Sequence, residues 1–119
     1  MNSEWTFEIV SATHPPSLAR RAATLFHQSG GTMAVESTAH ALGAHPSTLR
    51  RAFRKEVGMT AREYLRRVRL ARAEALLARA PRGKIEPIAY EAGWGSKSGL
   101  YRAFRHFRDD TPGRVRNVC

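Results

Sequence analysis

Two stretches decide the fold of this chain, Leu49-Arg-Arg-Ala-Phe-Arg54 and Leu100-Tyr-Arg-Ala-Phe-Arg105, which carry the same residue at five of six positions. Thr60 follows the first stretch and Thr111 follows the second at the same distance. A leucine and a phenylalanine four residues apart lie on one face of an α-helix, and the arginines occupy the rest of its surface. The sequence therefore predicts a basic amphipathic helix twice.

A shorter repeat precedes each basic helix. Ala39-His-Ala-Leu-Gly43 and Ala89-Tyr-Glu-Ala-Gly93 both place an alanine four positions before a glycine. Such a glycine can adopt the left-handed backbone that ends a helix in a tight turn. Each half then has the order helix, turn, helix, which is typical of a helix-turn-helix whose second helix enters the major groove of DNA. The alternative is an ordinary pair of packed helices, and the duplication with arginine-rich second helices favours DNA binding.

Positive charge is concentrated in the repeats. The chain has 119 residues and a net charge of +10, of which residues 1–43 contribute −1 and residues 44–119 contribute +11. Most of these cations are arginines, whose planar guanidinium binds phosphate or guanine through two parallel hydrogen bonds. This distribution favours a polyanionic partner.

Composition argues against several other classes of protein. The single cysteine, Cys119, allows neither an internal disulfide nor a cysteine-based zinc site, and the five histidines lack metal-ligand spacing. No nucleophile elbow, phosphate-binding loop or carboxylate pair is present, so we predict no enzyme, no catalytic residue, no metal and no cofactor. Without a membrane-length apolar run or signal peptide, a cytoplasmic protein with no membrane partner is expected. The length leaves no room for a separate sensing domain, so no small-molecule site is expected.

Helix caps and helix breakers divide the chain into four segments. The first holds an N-terminal arm and a supporting helix, the second a helix-turn-helix, the third a linker helix, and the fourth a second helix-turn-helix with a C-terminal tail. These segments are residues 1–31, 32–59, 60–81 and 82–119. The sequence thus predicts an all-α fold in which a long helix joins two helix-turn-helix subdomains.

In the first two segments, local signals place three features. Phe7 lies in a period-two pattern typical of a short strand or extended arm. Ser17 is an N-cap for the supporting helix, and Thr32 is predicted to cap the next helix over residues 33–42. The first recognition helix is predicted over residues 46–57, between a proline suited to a first helical turn and a helix-ending glycine.

In the last two segments, Thr60 and Glu63 form a capping box that begins the linker helix. No breaker follows until Pro81, so this helix can run for about 20 residues and roughly 30 Å, close to one turn of DNA. The second recognition helix is predicted over residues 97–108, with Ser96 as its N-cap.

Candidate DNA contacts lie near the N-terminus and on the outer face of each recognition helix. Arginine can bond guanine O6 and N7 together, a contact worth roughly 1–3 kcal/mol of discrimination per base pair, which makes Arg50 and Arg51 the first choices. A structural or phosphate-binding role for Arg51 is the alternative. Gly99 removes a side chain where a base contact is expected, and Trp94 is predicted to fill the core. The DNA-contacting set is Ser47, Arg50, Arg51, Arg54, Lys97, Ser98, Tyr101, Arg102 and Arg105.

Several motifs of residues 34–116 form one pattern, and they are Ala39-x-x-x-Gly43, Leu49-x-Arg-x-Phe-Arg54, Gly58-Met-Thr60, Ile85-x-x-Ile-Ala89, Gly93-Trp94, Leu100-x-Arg-x-Phe-Arg105 and Thr111-Pro112. In this pattern the chain resembles the AraC/XylS family of bacterial transcription regulators. The resemblance implies an all-α unit of about seven helices, whose two helix-turn-helix subdomains bind successive major-groove segments on one face of double-stranded DNA. It also implies an activator that contacts RNA polymerase. This chain departs from the family pattern at two positions. It has Thr38 where the family usually has an apolar residue, and His45 where the family usually has a serine-type cap.

Three functions compete at this point. The first is a sequence-specific, double-stranded DNA-binding transcription regulator that acts as a monomer on DNA, because its two halves expose different residues. The alternative is a nonspecific basic nucleic-acid-binding protein, for which charge alone suffices. The third is an interaction module for an acidic protein. The same chain fits either a complete small regulator or the DNA-binding part of a longer one.

Overall fold

The computed structural model of the protein describes residues 16–79 and 84–108. Within these ranges it contains six α-helices and no β-strand, compared with the seven or so that the resemblance implies. The all-α fold class expected from the sequence is confirmed. The expected arm around Phe7 and the C-terminal tail lie outside the described residues. The helices are α1 Leu18–Gln28, α2 Val35–Ala41, α3 Pro46–Val57, α4 Ala61–Arg79, α5 Ile85–Glu91 and α6 Lys97–Arg108.

Local caps fix four helix boundaries at the positions that the sequence predicts. The hydroxyl oxygens of Ser17, Thr60 and Ser96 each accept a hydrogen bond from the backbone N–H three residues later, at 3.2, 3.0 and 3.0 Å. These bonds begin α1, α4 and α6, since each satisfies a donor that has no partner within its helix. Gly58 ends α3 with a φ of 86°, in the left-handed region that only glycine adopts without strain.

Helix α2 begins later than the sequence predicted. Its N-cap is Ala34, whose side chain makes no capping hydrogen bond, and its first helical residue is Val35. The prediction that Thr32 caps a helix over residues 33–42 is therefore wrong. The reason is that the preceding turn continues through Gly30 and Gly31, which have φ values of 65° and 87°. Two consecutive left-handed residues delay the start of the helix.

The contacts of the chain divide it into two units. Unit 1 contains α1, α2, α3 and residues 61–65, which begin α4. Unit 2 contains residues 66–79 of α4 with α5, α6 and the segment Gly30–Thr32. Each unit therefore contains one helix-turn-helix, formed by α2 and α3 in unit 1 and by α5 and α6 in unit 2.

Three aromatic rings form the centre of unit 1. Phe26 of α1, Phe53 of α3 and Tyr64 of α4 are fully buried, with ring centroids 5.2 to 6.2 Å apart. Tilted aromatic pairs at this separation add to the free energy gained by burying their surface. Thr38 is also buried, and its hydroxyl donates to the carbonyl of Ala34 at 2.9 Å, so this polar departure from the family pattern is satisfied within α2.

Unit 2 has its own apolar core. Helix α4 contributes residues three and four apart, which places them on one face against α5 and α6. Trp94 packs against this core, as the sequence predicted, and is partly buried. The fully buried members of the core are Leu70, Ala73, Leu77, Ala89, Ala92, Leu100, Ala103 and Phe104.

Candidate nucleic-acid interface

The two helix-turn-helix turns have the same backbone geometry. Gly43 and Gly93 have φ values of 70° and 87°, and each donates its N–H to the carbonyl three residues earlier at 3.0 Å. The N–H that follows each glycine donates to an alanine carbonyl five residues earlier, at 2.9 Å for Ala39 and 2.8 Å for Ala89. The repeat in the sequence is therefore a repeat in structure.

Helix α3 buries one face in unit 1 and exposes the other. Leu49 and Phe53 are fully buried, whereas all four residues that the sequence proposed for DNA contact are exposed. At 3.6 residues per turn, these four lie within about 100° of arc on the helix surface. They are Ser47, Arg50, Arg51 and Arg54. The helix thus presents a continuous cationic face.

Helix α6 repeats this arrangement in unit 2. Leu100 and Phe104 are fully buried, and four of the five proposed contact residues are exposed. The fifth, Tyr101, is half-buried, with Lys97 Nζ 5.8 Å from its ring centroid. This distance allows a cation–π interaction. The proposed residues of this face are Lys97, Ser98, Tyr101, Arg102 and Arg105, and the first four line a shallow open depression.

Gly99 does not leave a gap in this face. A Cβ atom at residue 99 would lie 3.2 Å from the carbonyl oxygen of Trp94 and 3.4 Å from Ser96 Oγ. The missing side chain would therefore point towards the turn that precedes α6. The interpretation of Gly99 as a lost base contact is wrong, because glycine here relieves close packing inside unit 2.

His45 replaces the serine-type cap that the family pattern has at the start of α3. Its Nδ1 accepts a hydrogen bond from the Ser47 backbone N–H at 3.2 Å and lies 2.8 Å from Ser47 Oγ. An imidazole nitrogen thus performs the capping role usually played by a hydroxyl oxygen. The first recognition helix has a side-chain cap despite its departure from the family pattern.

An ion pair joins the two helices of the first helix-turn-helix. Arg50 Nη2 of α3 donates to Glu36 Oε2 of α2, and the two side chains are 53% and 62% exposed. Sequence reasoning did not identify Glu36 as a site residue. The pair joins residues on different helices, which a local sequence pattern does not predict. The sequence feature that could have drawn attention to Glu36 is that a glutamate is the second residue of both α2 and α5.

Several other arginines make structural contacts in unit 2. Arg108 forms two hydrogen bonds with the Glu74 carboxylate, at 3.0 and 3.3 Å, and Arg72 lies 3.6 Å from that of Glu91. The guanidinium carbons of Arg66 and Arg67 lie 5.3 and 5.1 Å from the ring centroid of Phe107. Part of the positive charge of the chain therefore lies in contacts within unit 2.

Across residues 16–79 and 84–108, no three histidine, cysteine, aspartate or glutamate side chains come together as metal ligands would. None of the helices described there combines the length and apolar character needed to cross a bilayer. The two exposed cationic helix faces are the candidate site of this protein.

Comparison with known proteins gives one family and several similar folds. Residues 38–117, more than half of the chain, match the family described as a helix-turn-helix domain. The C-terminal domain of AraT, a response regulator from Geobacillus stearothermophilus, is 25% identical with a TM-score of 0.78, and the match covers 92% of this chain and 89% of that one. A search of curated proteins gives no match.

Two further solved structures share the fold. An AraC-type DNA-binding domain-containing transcriptional regulator from Chromobacterium violaceum is 23% identical with a TM-score of 0.73, over 84% of this chain and 89% of that one. A DNA-binding transcriptional dual regulator from Escherichia coli K-12 is 23% identical with a TM-score of 0.72, over 91% and 96%.

The matched family is a helix-turn-helix domain, and two of the solved structures that share the fold are described as DNA-binding transcription regulators. The duplicated turns and the cationic helix faces agree with this assignment. The sequence resemblance to one regulator family is confirmed by the family match and by these structural neighbours. The chain therefore belongs to the AraC/XylS family of transcription regulators, through its helix-turn-helix DNA-binding domain.

Proposed function

We propose that this chain binds a specific sequence in double-stranded DNA by inserting α3 and α6 into successive major-groove segments. The observation that carries the proposal is the duplicated turn, which in each unit is followed by a helix with a buried leucine–phenylalanine face and an exposed cationic face. An α-helix fits the major groove, where arginine can discriminate guanine from other bases. The nine residues proposed from the sequence remain the proposed contacts.

Each helix-turn-helix is expected to contact its own half-site, meaning the base pairs that one recognition helix contacts. The two faces differ at equivalent positions, since Arg50 of α3 corresponds to Tyr101 of α6. One chain carries both recognition helices, so a second copy of the protein is not needed to contact two unlike half-sites. The protein is therefore proposed to bind an asymmetric DNA site as a monomer, with its half-sites about one helical turn apart.

Activation of transcription, by contact with RNA polymerase, is the proposed consequence of binding. The resemblance to the AraC/XylS family supports this step. In vitro transcription from a template that carries the bound sequence upstream of a promoter tests it. A rise in transcript with added protein supports activation, and a fall would show repression.

Selection of bound duplexes from a random-sequence DNA pool, at one stated salt concentration, tests specific binding. Wild type is expected to enrich two unlike half-sites, with R50A weakening the preference in one and K97A in the other. Arg21→Ala is the matched control, because Arg21 is exposed on α1, outside both faces, and its substitution removes the same charge. R21A is expected to enrich the wild-type motif.

Nonspecific binding through charge is the alternative outcome of this selection. The net charge of +10 supplies attraction to any duplex without base contacts. Binding without an enriched motif would replace the regulator proposal with this alternative. One chain per duplex in sedimentation analysis supports the monomer, whereas two chains would contradict it.

A further inference from the structure

We infer that Glu36 is a positioning residue for Arg50 and thereby helps to set the base preference of the first half-site. The inference rests on the proposed function, and it adds a residue outside the proposed contact set. It begins from the ion pair between Glu36 Oε2 and Arg50 Nη2, which joins α2 to the exposed face of α3. The carboxylate acts through the guanidinium and needs no contact with DNA itself.

The geometry of the pair leaves Arg50 able to contact a base. A guanidinium carries five N–H donors in a fixed fork, and the bond to Glu36 involves the Nη2 atom. The Arg50 side chain is 53% exposed, so part of it is open to a ligand. Guanine O6 and N7 accept two parallel hydrogen bonds from such a fork. Glu36 can therefore hold Arg50 from one side while Arg50 contacts a base from another.

Holding Arg50 before binding lowers the cost of the contact. A free arginine side chain samples many rotamers, and ordering them opposes binding. A carboxylate on the neighbouring helix limits these rotamers in the unbound protein. An exposed ion pair of this kind contributes little to the stability of the fold. Its effect is therefore expected in DNA binding and not in the unfolding temperature.

The second helix-turn-helix provides a control within the same chain. Glu86 is the second residue of α5, as Glu36 is of α2, but Tyr101 stands where α3 has Arg50. In the part of the chain that the structure describes, no ion pair joins α5 to α6. Glu86→Gln thus removes the same charge from an equivalent position without removing an arginine partner.

The experiment measures the affinity of E36Q, E86Q, R50A and the double variant E36Q/R50A for the duplex selected by wild type. The same measurement is made for duplexes with single base changes in each half-site. Both glutamine variants lose one negative charge, which favours binding to every duplex by the same factor. Only E36Q is expected to reduce discrimination at one base pair of the first half-site, by about threefold or more. Adding E36Q to R50A is expected to change discrimination no further.

The outcomes separate this inference from the proposed function. Unchanged discrimination in E36Q, or an equal loss in E86Q, overturns the role of Glu36 and leaves specific binding in place. A wild type without any base preference overturns the proposed function and this inference with it. A large fall in the unfolding temperature of E36Q, with equal loss of affinity for all duplexes, shows a structural role and also overturns the inference.

Discussion

The backbone of Gly93 passes so close to Gly31 that a Cβ atom on residue 93 would lie 2.5 Å from the Gly31 carbonyl oxygen. The same oxygen accepts a hydrogen bond from Arg69 Nε of α4 at 2.6 Å. Gly93 therefore has two separate reasons to be glycine: its φ of 87° and the neighbouring backbone. Gly43, the equivalent glycine of the first turn, has a φ of 70° but no neighbouring atom within 4 Å of its missing Cβ.

The two turn glycines are expected to differ in their tolerance of alanine. Gly43→Ala should lower the free energy of unfolding by about 1–2 kcal/mol, which is the cost of a left-handed alanine. Gly93→Ala should lower it by about 2–5 kcal/mol, because overpacking against backbone adds roughly 1–3 kcal/mol. Urea unfolding followed by circular dichroism measures both changes. Equal losses in the two variants would contradict the close approach at Gly31.

The difference between these glycines shows which parts of the fold a sequence can predict. Helix boundaries at Ser17, Thr60 and Ser96 depend on bonds between residues three apart, so the local pattern was sufficient. The approach of Gly31 to Gly93 joins residues distant in the chain, and the two turns look alike as sequence. No local pattern in one chain distinguishes them.

The start of α3 gives a second prediction. His45→Ala should lower the free energy of unfolding by about 1 kcal/mol, because the Ser47 N–H loses its acceptor. His45→Ser should retain most of the wild-type stability, since a serine hydroxyl can cap the same helix. Urea unfolding of the two variants tests this. A stable H45A variant would show that the imidazole bond contributes nothing.

Stability should also depend on the protonation of His27. Partial burial lowers the pKa of His27 below its ordinary value of 6.5, and its Nε2 lies 2.7 Å from the Tyr64 hydroxyl. The unfolded chain therefore binds a proton at a higher pH than the folded chain does. The contribution of neutral His27 to the free energy of unfolding should be fully present above pH 6.5. It should fall as the pH drops towards the lowered pKa and change no further below that pKa.

This dependence is tested by measuring the free energy of unfolding between pH 8 and pH 5, a range of about three units around the ordinary pKa of histidine. Wild type should lose stability across the lower half of that range. His27→Gln should lose less, because glutamine can bond the Tyr64 hydroxyl without titrating. An identical pH profile for the two proteins would exclude His27 as the cause.

The candidate site was predictable only as far as each helix determines its own faces. The spacing of Leu49 and Phe53 was enough to place the proposed contacts of α3 on the exposed side. The partner of Arg50 was not predictable, because Glu36 lies on another helix and is exposed. Gly99 is a different case, since its constraint comes from Trp94 and Ser96 nearby in the chain and depends on the backbone geometry of the turn, which the sequence pattern does not specify.

The repeat suggests how the contacts divide between bases and phosphates. Arg54 and Arg105 occupy equivalent positions in the third turn of α3 and α6, and both are exposed. Base contacts concentrate near the N-terminus of a recognition helix, and these two arginines lie further along it. These two arginines are therefore expected to bind phosphate, which positions each helix in its groove.

The salt dependence of DNA affinity tests this division. Arg54→Ala and Arg105→Ala should each reduce the slope of log K against log salt by about 0.9, because each phosphate contact releases condensed counterions. Both variants should weaken binding to all sequences alike and enrich the wild-type motif in selection. Arg21 lies outside both faces, so Arg21→Ala should leave the slope of log K against log salt unchanged. A change in base preference with R54A or R105A would instead assign that arginine to a base edge, since phosphate contacts carry no sequence information directly.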